Sequence, residues 1–167
     1  MNKYIFVIII FLSVFLRFYK LSSIPPSLYW DEASLGYNAY SILKSAHDEH
    51  GKLLPLTYFA AFGDYKPPGY IYATVLPIAI LGPSEFAIRF PSAFFGVLTV
   101  IITYFLAKKF FENKTIALWS AFLLAISPWH LQFSRGAFEG NLGLFFSITA
   151  IYFFIKFVKD KPIYIFP

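Results

Sequence analysis

Four long apolar stretches separated by short polar segments dominate the chain. They cover about residues 4–20, 86–110, 115–133 and 141–158. Each stretch approaches the roughly 20 residues that a helix needs to cross about 30 Å of hydrocarbon. The pattern therefore predicts an all-α, polytopic membrane helical bundle with about four transmembrane helices.

The segment between the first two stretches, about residues 21–85, is the most polar part of the chain. Within it, residues 31–46 carry apolar side chains at three- and four-residue spacing, which predicts an amphipathic helix lying along the membrane. Residues 69–82 are apolar but too few for an ordinary span, and they predict a second juxtamembrane helix. Whether residues 69–82 cross the bilayer is left open by the pattern.

The lysines and arginines flank the apolar stretches and indicate an orientation. The segments 108–114 and 156–161 hold three lysines each, whereas the turn before the last stretch holds only Arg135. The positive-inside rule places both lysine segments in the cytoplasm and residues 21–85 outside. With residues 69–82 outside the bilayer core, the N-terminus is cytoplasmic and the protein is a multi-pass protein of the cell membrane. Arg17 and Lys20, after the first stretch, are expected to extend to the interface.

Composition narrows the classes of function. Hydrophobic residues make up 58% of the 167 residues and charged residues 14%, against about 25% charged residues in soluble domains. The absence of cysteine excludes disulfides, thiolate metal sites and a cysteine nucleophile. The net charge is +5, but the basic residues form no patch with interleaved aromatics. Nucleic acid is therefore excluded as a partner, and the lipid bilayer is the expected partner.

Ionisable residues gather on the predicted outer side. They are Asp31, Glu32, Asp64, Lys66, Glu85, Arg89, His130, Arg135 and Glu139. A charged side chain near hydrocarbon costs free energy, so its presence there suggests a function. Carboxylates that act as a base, beside cations that hold an anion, suit the transfer of a group from a phosphate-bearing donor.

Each of these residues also has a purely structural interpretation. Asp31 or Glu32 could cap the predicted helix and complement its dipole, a role that is compatible with catalysis. Lys66 could extend to the interface, and Arg135 could pair with Glu139 four residues later.

Metal ligation is not predicted from the histidines. His47 and His50 lie together in "HDEHG", but their spacing matches no strong ligand motif. His130 follows Trp129 and is expected to make a hydrogen bond at the interface rather than bind a metal.

Motifs in a fixed order link the chain to a known family. "WDE" opens the first predicted loop helix, and "KPPGY" precedes the second. "E-x-x-x-R-x-P-S-A-x-x-G-x-L-T-V" and "S-P-W-H-L-Q-F-S-R-G-A-x-E" follow. Over about residues 4–158 the chain resembles the amino-terminal part of C-type (GT-C) membrane glycosyltransferases. The group of protein O-mannosyltransferases and bacterial aminoarabinose transferases is the most similar.

The resemblance implies a reaction and roles for particular residues. These enzymes take a sugar from a polyprenyl-phosphate donor and transfer it, with inversion, to a hydroxyl of a protein, lipid or glycan acceptor. By this resemblance Asp31 is the catalytic base, and Glu32 supports it or positions the acceptor. Lys66 contacts the donor phosphate, and Arg89 and Arg135 match arginines near the same cavity. Asp64, His130 and Glu139 are accessory candidates.

Two departures from the family pattern change these expectations. Tyr65 stands directly before Lys66, where many relatives have an acidic residue. A metal contact at that position is therefore in doubt, so no metal ligand or cofactor is assigned and a divalent metal is left open. The chain also ends after about four spans where relatives have ten or more, so we expect a truncated member that lacks much of the donor cavity.

Two other classes of function remain as alternatives. A small transporter or channel would use ionisable residues to line a pathway at mid-membrane. A non-catalytic membrane subunit or a degenerate fragment would only bind partners.

Overall fold

The computed structural model describes residues 2–160 and contains seven α-helices and a two-stranded sheet within them. In chain order the elements are α1 (Asn2–Phe18), α2 (Trp30–Ser45), β1 (Phe59–Ala61), β2 (Asp64–Lys66), α3 (Pro68–Leu81), α4 (Glu85–Phe111), α5 (Lys114–Ile126), α6 (Pro128–Arg135) and α7 (Glu139–Asp160). Met1 and Lys161, which enter the predicted topology, lie outside the described residues.

Within residues 2–160, two helices, α4 and α7, are long and apolar enough to cross a membrane. The bent pair of α5 and α6 adds a third candidate span if the two helices cross together. The predicted count of four spans is therefore not confirmed, because α1 has 17 residues within the described part of the chain, fewer than the roughly 20 of a typical span. The 14 residues of α3 measure about 21 Å, too short to cross alone.

The described residues are mostly helical, as predicted, and the β1–β2 hairpin is the exception. The two strands pair antiparallel with Phe59 opposite Lys66. Phe62 and Gly63 form the connection with φ of 51° and 79°, the left-handed conformations of a tight two-residue hairpin loop. Strands of three residues are too short to show the alternating pattern by which strands are recognised in a sequence.

The stretch predicted as one span, residues 115–133, consists of two helices bent by 56°. Pro128 has no backbone N–H and so cannot continue the hydrogen-bond ladder of α5. The side chain of Ser127 instead caps α6 by accepting a bond from the backbone N–H of His130. The break leaves the last carbonyls of α5 in need of other donors.

α4 and α7 run parallel through the bundle. Near their beginnings Asn141 Nδ2 donates to the Ser92 carbonyl at 2.7 Å, and near their ends Lys159 Nζ lies 2.7 Å from a Glu112 carboxylate oxygen. α1 runs antiparallel to α4, with Phe18 packed against Phe90. We call the end with the first residues of α4 and α7 the site end, and the opposite end, with Lys108 to Lys114, the lysine end.

Two clusters of buried apolar side chains hold the elements together. At the site end, α2, β1 and α3 pack on α4 and α7 through Leu35, Ala39, Ile42, Phe59, Tyr70, Ile71, Ile78, Ala87, Ile88, Ala137 and Leu142. The second cluster joins α1, α4 and α5 through Ile9, Val100, Tyr104, Ala107, Ala117, Leu118, Ala121 and Ala125. The polar loop is thereby fixed to the start of α4 and α7.

Gly96 is required where α4 passes closest to α1 and α6. A Cβ atom on Gly96 would lie 2.8 Å from Ser134 Cβ and 3.0 Å from Arg17 Nε. We expect Gly96→Ala to destabilise the protein by about 1–3 kcal/mol because the helices must separate. Thermal unfolding in detergent measures the change.

The matched control is Gly143→Ala in α7, where an added Cβ meets nothing within 4 Å. That variant is expected to unfold at the same or a slightly higher temperature, since alanine favours a helix over glycine. Equal melting temperatures for wild type and Gly96→Ala would contradict the close packing of these helices.

Candidate active site

The ammonium group of Lys66 lies at the centre of three carboxylates. Lys66 Nζ is 2.9 Å from Asp64 Oδ2, 3.3 Å from Asp31 Oδ1 and 3.8 Å from Glu139 Oε1. The Lys66 side chain is only 10% exposed, whereas Asp31 and Glu139 keep 28% and 24% of their side-chain surface. We call these four residues the lysine–carboxylate cluster.

Three elements place the cluster at the site end. Asp64 and Lys66 are two residues apart on β2 and so project to the same side of the strand. Asp31 lies in the first turn of α2, and Glu139 is the first residue of α7. Carboxylates are favoured at both positions because a helix N-terminus carries partial positive charge.

The contact between Lys66 and Asp64 favours the charged forms of both groups. The hydrogen bond that Lys66 donates to Asp64 is the main cause that raises the pKa of Lys66, against the effect of burial, and Glu139 and Asp31 add to it. The same hydrogen bond lowers the pKa of the exposed Asp64 carboxyl. Three carboxylates around one ammonium leave the cluster net negative.

Glu32 forms a second, buried pair with Arg89. Arg89 Nε lies 3.0 Å from Glu32 Oε1, and a second guanidinium nitrogen lies 3.1 Å from Oε2. The backbone N–H groups of Tyr29 and Ala137 also donate to this carboxylate. Burial raises the pKa of Glu32, but these hydrogen bonds outweigh it, so the net shift of its pKa is downward.

The adjacent acids of "WDE" thus have different surroundings. Glu32 is 3% exposed and accepts from the N–H of Tyr29, which caps α2; this is the capping interaction of an acid in the first turn. Asp31 contacts Lys66 instead and is partly open to solvent. Of the two, only Asp31 can receive a proton without breaking a buried ion pair.

All five N–H groups of Arg89 are directed to protein acceptors. Two donate to Glu32, and three donate to the carbonyls of Leu21, Pro25 and Ser27. Arg89 is completely buried. In this arrangement it has no N–H for a donor phosphate; it fastens the loop after α1 to the start of α2.

Arg135 holds the neighbouring part of the same loop. It donates to the carbonyls of Leu16, Tyr19 and Ile24 at 2.6, 2.8 and 2.9 Å. It forms no ion pair with Glu139, which lies beside Lys66. Of the predicted site residues, the structure brings Asp31, Asp64, Lys66 and Glu139 together, and it places the two arginines in loop-holding positions.

Arg17 is a structural residue that the sequence pattern missed. It is buried rather than directed to the interface, and it donates to Ser13 Oγ at 2.9 Å and to the Ala125 carbonyl at 3.2 Å. It also lies 2.7 Å from His130 Nδ1, which places His130 in the interior of the bundle. Pro128 could have indicated this role, because a break in the helix at proline leaves the last carbonyls of α5 without their usual N–H donors.

A cavity of about 640 Å³ opens at the start of α2, beside Glu32. Residues 25–30 form one wall of the cavity, and the rest of its lining is Glu32, Gln132, Gly136 and Phe138. At the start of α2, the Trp30 ring stacks on Phe62 of the hairpin at 5.4 Å. The walls are mainly apolar and aromatic, as in sites that bind organic molecules.

No group of three or more histidine, aspartate and glutamate side chains has the arrangement of a metal site in residues 2–160. The three carboxylates of the cluster converge on an ammonium group instead. His47 Nδ1 contacts the Ser45 carbonyl, and His50 Nε2 contacts the Ala60 carbonyl.

Comparisons with known proteins identify the family of the chain. The sequence model of a family described as dolichyl-phosphate-mannose-protein mannosyltransferase matches residues 7–164. An uncharacterized protein of Aquifex aeolicus (strain VF5) is 28% identical over an alignment of 168 positions, which covers 99% of this chain and 32% of that protein. The chain therefore spans about one third of the length of this relative. No solved structure matches the chain.

Proposed function

Because this chain belongs to the dolichyl-phosphate-mannose-protein mannosyltransferase family, we propose that it carries the catalytic base of a multi-pass membrane glycosyltransferase. The reaction is transfer of a sugar from a polyprenyl-phosphate donor to an acceptor hydroxyl. The supporting observation is the 3.3 Å separation of Lys66 Nζ from Asp31 Oδ1. This contact places a cation that can bind a phosphate beside a partly exposed base.

In the proposed reaction Asp31 acts as the general base. Its carboxylate takes the proton of the acceptor hydroxyl while that oxygen attacks C1 of the sugar. The bond from C1 to the phosphate oxygen breaks on the opposite face, so the configuration at C1 inverts. Polyprenyl phosphate leaves with the electron pair of that bond, and the proton on Asp31 passes to water.

Lys66 stabilises the charge that grows on the leaving phosphate. An ammonium group has three N–H donors and no acceptor. The contact between Lys66 and Glu139, at 3.8 Å, is longer than a hydrogen bond. The N–H group on that side of the ammonium is therefore the one that can most readily donate to a phosphate oxygen. Asp64 and Asp31 then keep Lys66 in place.

The other polar residues position this pair. Glu32 and Arg89 fix the start of α2, and with it Asp31, to the loop and to α4. Arg135 holds the loop that walls the 640 Å³ cavity, which we assign to the acceptor. The family description favours a hydroxyl of a protein as this acceptor over a lipid or a glycan.

The proposed orientation follows from the two ends of the bundle. Lysines concentrate at the lysine end, which the positive-inside rule places in the cytoplasm. The site end, and residues 21–85 with it, then faces the outside, and the N-terminus is cytoplasmic. The lysine–carboxylate cluster lies at the site end and not at the middle of the bundle. This position favours an enzyme at the bilayer edge over a transporter, whose charges would line the membrane centre.

The stereochemistry of the product tests this proposal. The full-length gene product, reconstituted in liposomes, is supplied with a polyprenyl-phosphate sugar of known anomeric configuration and a Ser- or Thr-containing peptide. We expect a glycoside of the opposite configuration, identified by its C1 proton coupling in NMR spectra. A product that retains the donor configuration would contradict the single displacement, and the absence of any product with polypeptide, lipid and glycan acceptors would contradict the activity.

A further inference from the structure

A second cavity lies between α1 and α5 at the lysine end, where both helices begin. Its volume is about 400 Å³. Two residues of its walls, Ile8 and Trp119, are 65% and 58% exposed, so the cavity is a groove on the surface of the bundle, and we call it the α1–α5 groove. The residues that line it include Ile5 and Ile8 of α1 and Thr115, Leu118, Trp119 and Phe122 of α5.

The α1–α5 groove has the depth of one leaflet of a bilayer. From Thr115 to Phe122 it extends about 10 Å along α5, against about 15 Å for the hydrocarbon of one leaflet. Trp119 lies between these residues, and tryptophan is favoured where hydrocarbon meets the polar head groups. The acyl chains of phospholipids are therefore the groups that this apolar groove meets in a membrane.

The lysine end carries an excess of positive charge. Within residues 2–160 its two carboxylates are paired, Asp160 with Lys109 and Glu112 with Lys159. The other lysines at this end form no ion pair with any described residue, so an anion from outside the protein can compensate them. They are Lys3, Lys108, Lys114 and Lys156.

Two of these lysines stand beside the groove, one on each of its helices. Lys114 is the first residue of α5, one helical turn before Leu118. Lys3 lies in the first turn of α1, two residues before Ile5, and its ammonium lies 5.3 Å from the centre of the Tyr4 ring. Long lysine side chains keep their charge in the polar layer while their stems cover apolar surface. The groove is thus apolar along its length and flanked by two cations at its polar end.

We propose that the α1–α5 groove binds an anionic phospholipid, with an acyl chain along Ile8 and Trp119 and the phosphate group beside Lys3 and Lys114. Lysines near a membrane surface attract anionic lipids. A zwitterionic lipid fits less well, because its head group brings a cation of its own to the two ammonium groups. The groove lies at the opposite end of the bundle from the lysine–carboxylate cluster, so this inference does not depend on the proposed function.

Quenching of Trp119 fluorescence by lipids with brominated acyl chains tests the proposal. Trp30→Phe and Trp129→Phe leave Trp119 as the one tryptophan of this chain. The protein is placed in phosphatidylcholine nanodiscs that contain increasing mole fractions of brominated phosphatidylglycerol or, in parallel, of brominated phosphatidylcholine. Each lysine is expected to favour the anionic lipid about fivefold. Phosphatidylglycerol should therefore reach half-maximal quenching at a mole fraction at least about tenfold lower than phosphatidylcholine does.

Charge-removing variants locate the binding within the lysine end. Lys3→Gln and Lys114→Gln are each expected to raise the mole fraction of phosphatidylglycerol at half-maximal quenching about fivefold and to leave quenching by phosphatidylcholine unchanged. Both lysines are exposed, so both variants should fold as the parent protein does. Lys156→Gln is the matched control, because it removes the same charge from α7, which packs on α4 and not on α1, and its effect should be small.

Four results would overturn the proposal. Equal quenching by the two lipids would remove the anionic head group, and an equal effect of Lys156→Gln would show attraction to the whole lysine end instead of binding in the groove. Quenching by neither lipid would show that another helix or a second copy of the chain covers the groove. Displacement of the brominated lipid by polyprenyl phosphate at a lower mole fraction than by unbrominated phosphatidylglycerol would assign the groove to a polyprenyl lipid.

Discussion

Replacing Asp31 with asparagine is expected to lower the rate of sugar transfer by about 10²–10⁴-fold, the usual contribution of a general base. Asparagine has nearly the same shape and keeps an oxygen for Lys66, but it cannot accept the proton of the attacking hydroxyl. Since Asp31 is partly exposed and lies outside both apolar clusters, the variant should fold normally. Initial rates in proteoliposomes and thermal unfolding of the same preparation measure both effects.

Asp64→Asn is the matched control for this change. Asp64 also contacts Lys66, at 2.9 Å, but its side chain is 68% exposed. Its loss should loosen Lys66 and weaken donor binding without removing the base, so the fall in kcat should be far smaller. Full activity of Asp31→Asn, or an equal loss of kcat in both variants, would contradict the role of Asp31.

The second large effect is expected on stability, at Arg89. Arg89→Met should destabilise the protein by about 3–5 kcal/mol, because the Glu32 carboxylate would remain as a buried charge without its partner. The carbonyls of Leu21, Pro25 and Ser27 would also lose their donors. Chemical denaturation in detergent, followed by circular dichroism, measures the change in free energy of unfolding.

A double variant distinguishes this role from binding of the donor phosphate. Glu32→Gln removes the buried charge, so Arg89→Met in that background should cost clearly less than in the wild type. If Arg89 instead bound the phosphate, Arg89→Met would raise the KM for the donor and leave the unfolding free energy unchanged. That outcome would contradict the structural role.

Much of the helical architecture follows from the sequence because apolar side chains recur along it with the length and period of helices. The same is true of the acidic pair at the start of α2, since a carboxylate in a first turn is a local preference. The Pro-Pro pair after Lys66 likewise determines where α3 can begin, because proline is favoured at a first helical position. These features depend on neighbours within a few residues.

Only the tertiary structure decided which partner each charge has. Glu32 and Arg89 are 57 residues apart in the chain, and Arg17 and His130 are 113 apart. Periodicity indicates that a face is buried, but it does not indicate which distant residue lies opposite. For that reason the sequence could identify Asp31 and Glu32 as a pair of interest. Only the packing of α2 against α4 makes Asp31 a partly exposed carboxylate beside Lys66 and Glu32 a buried partner of Arg89.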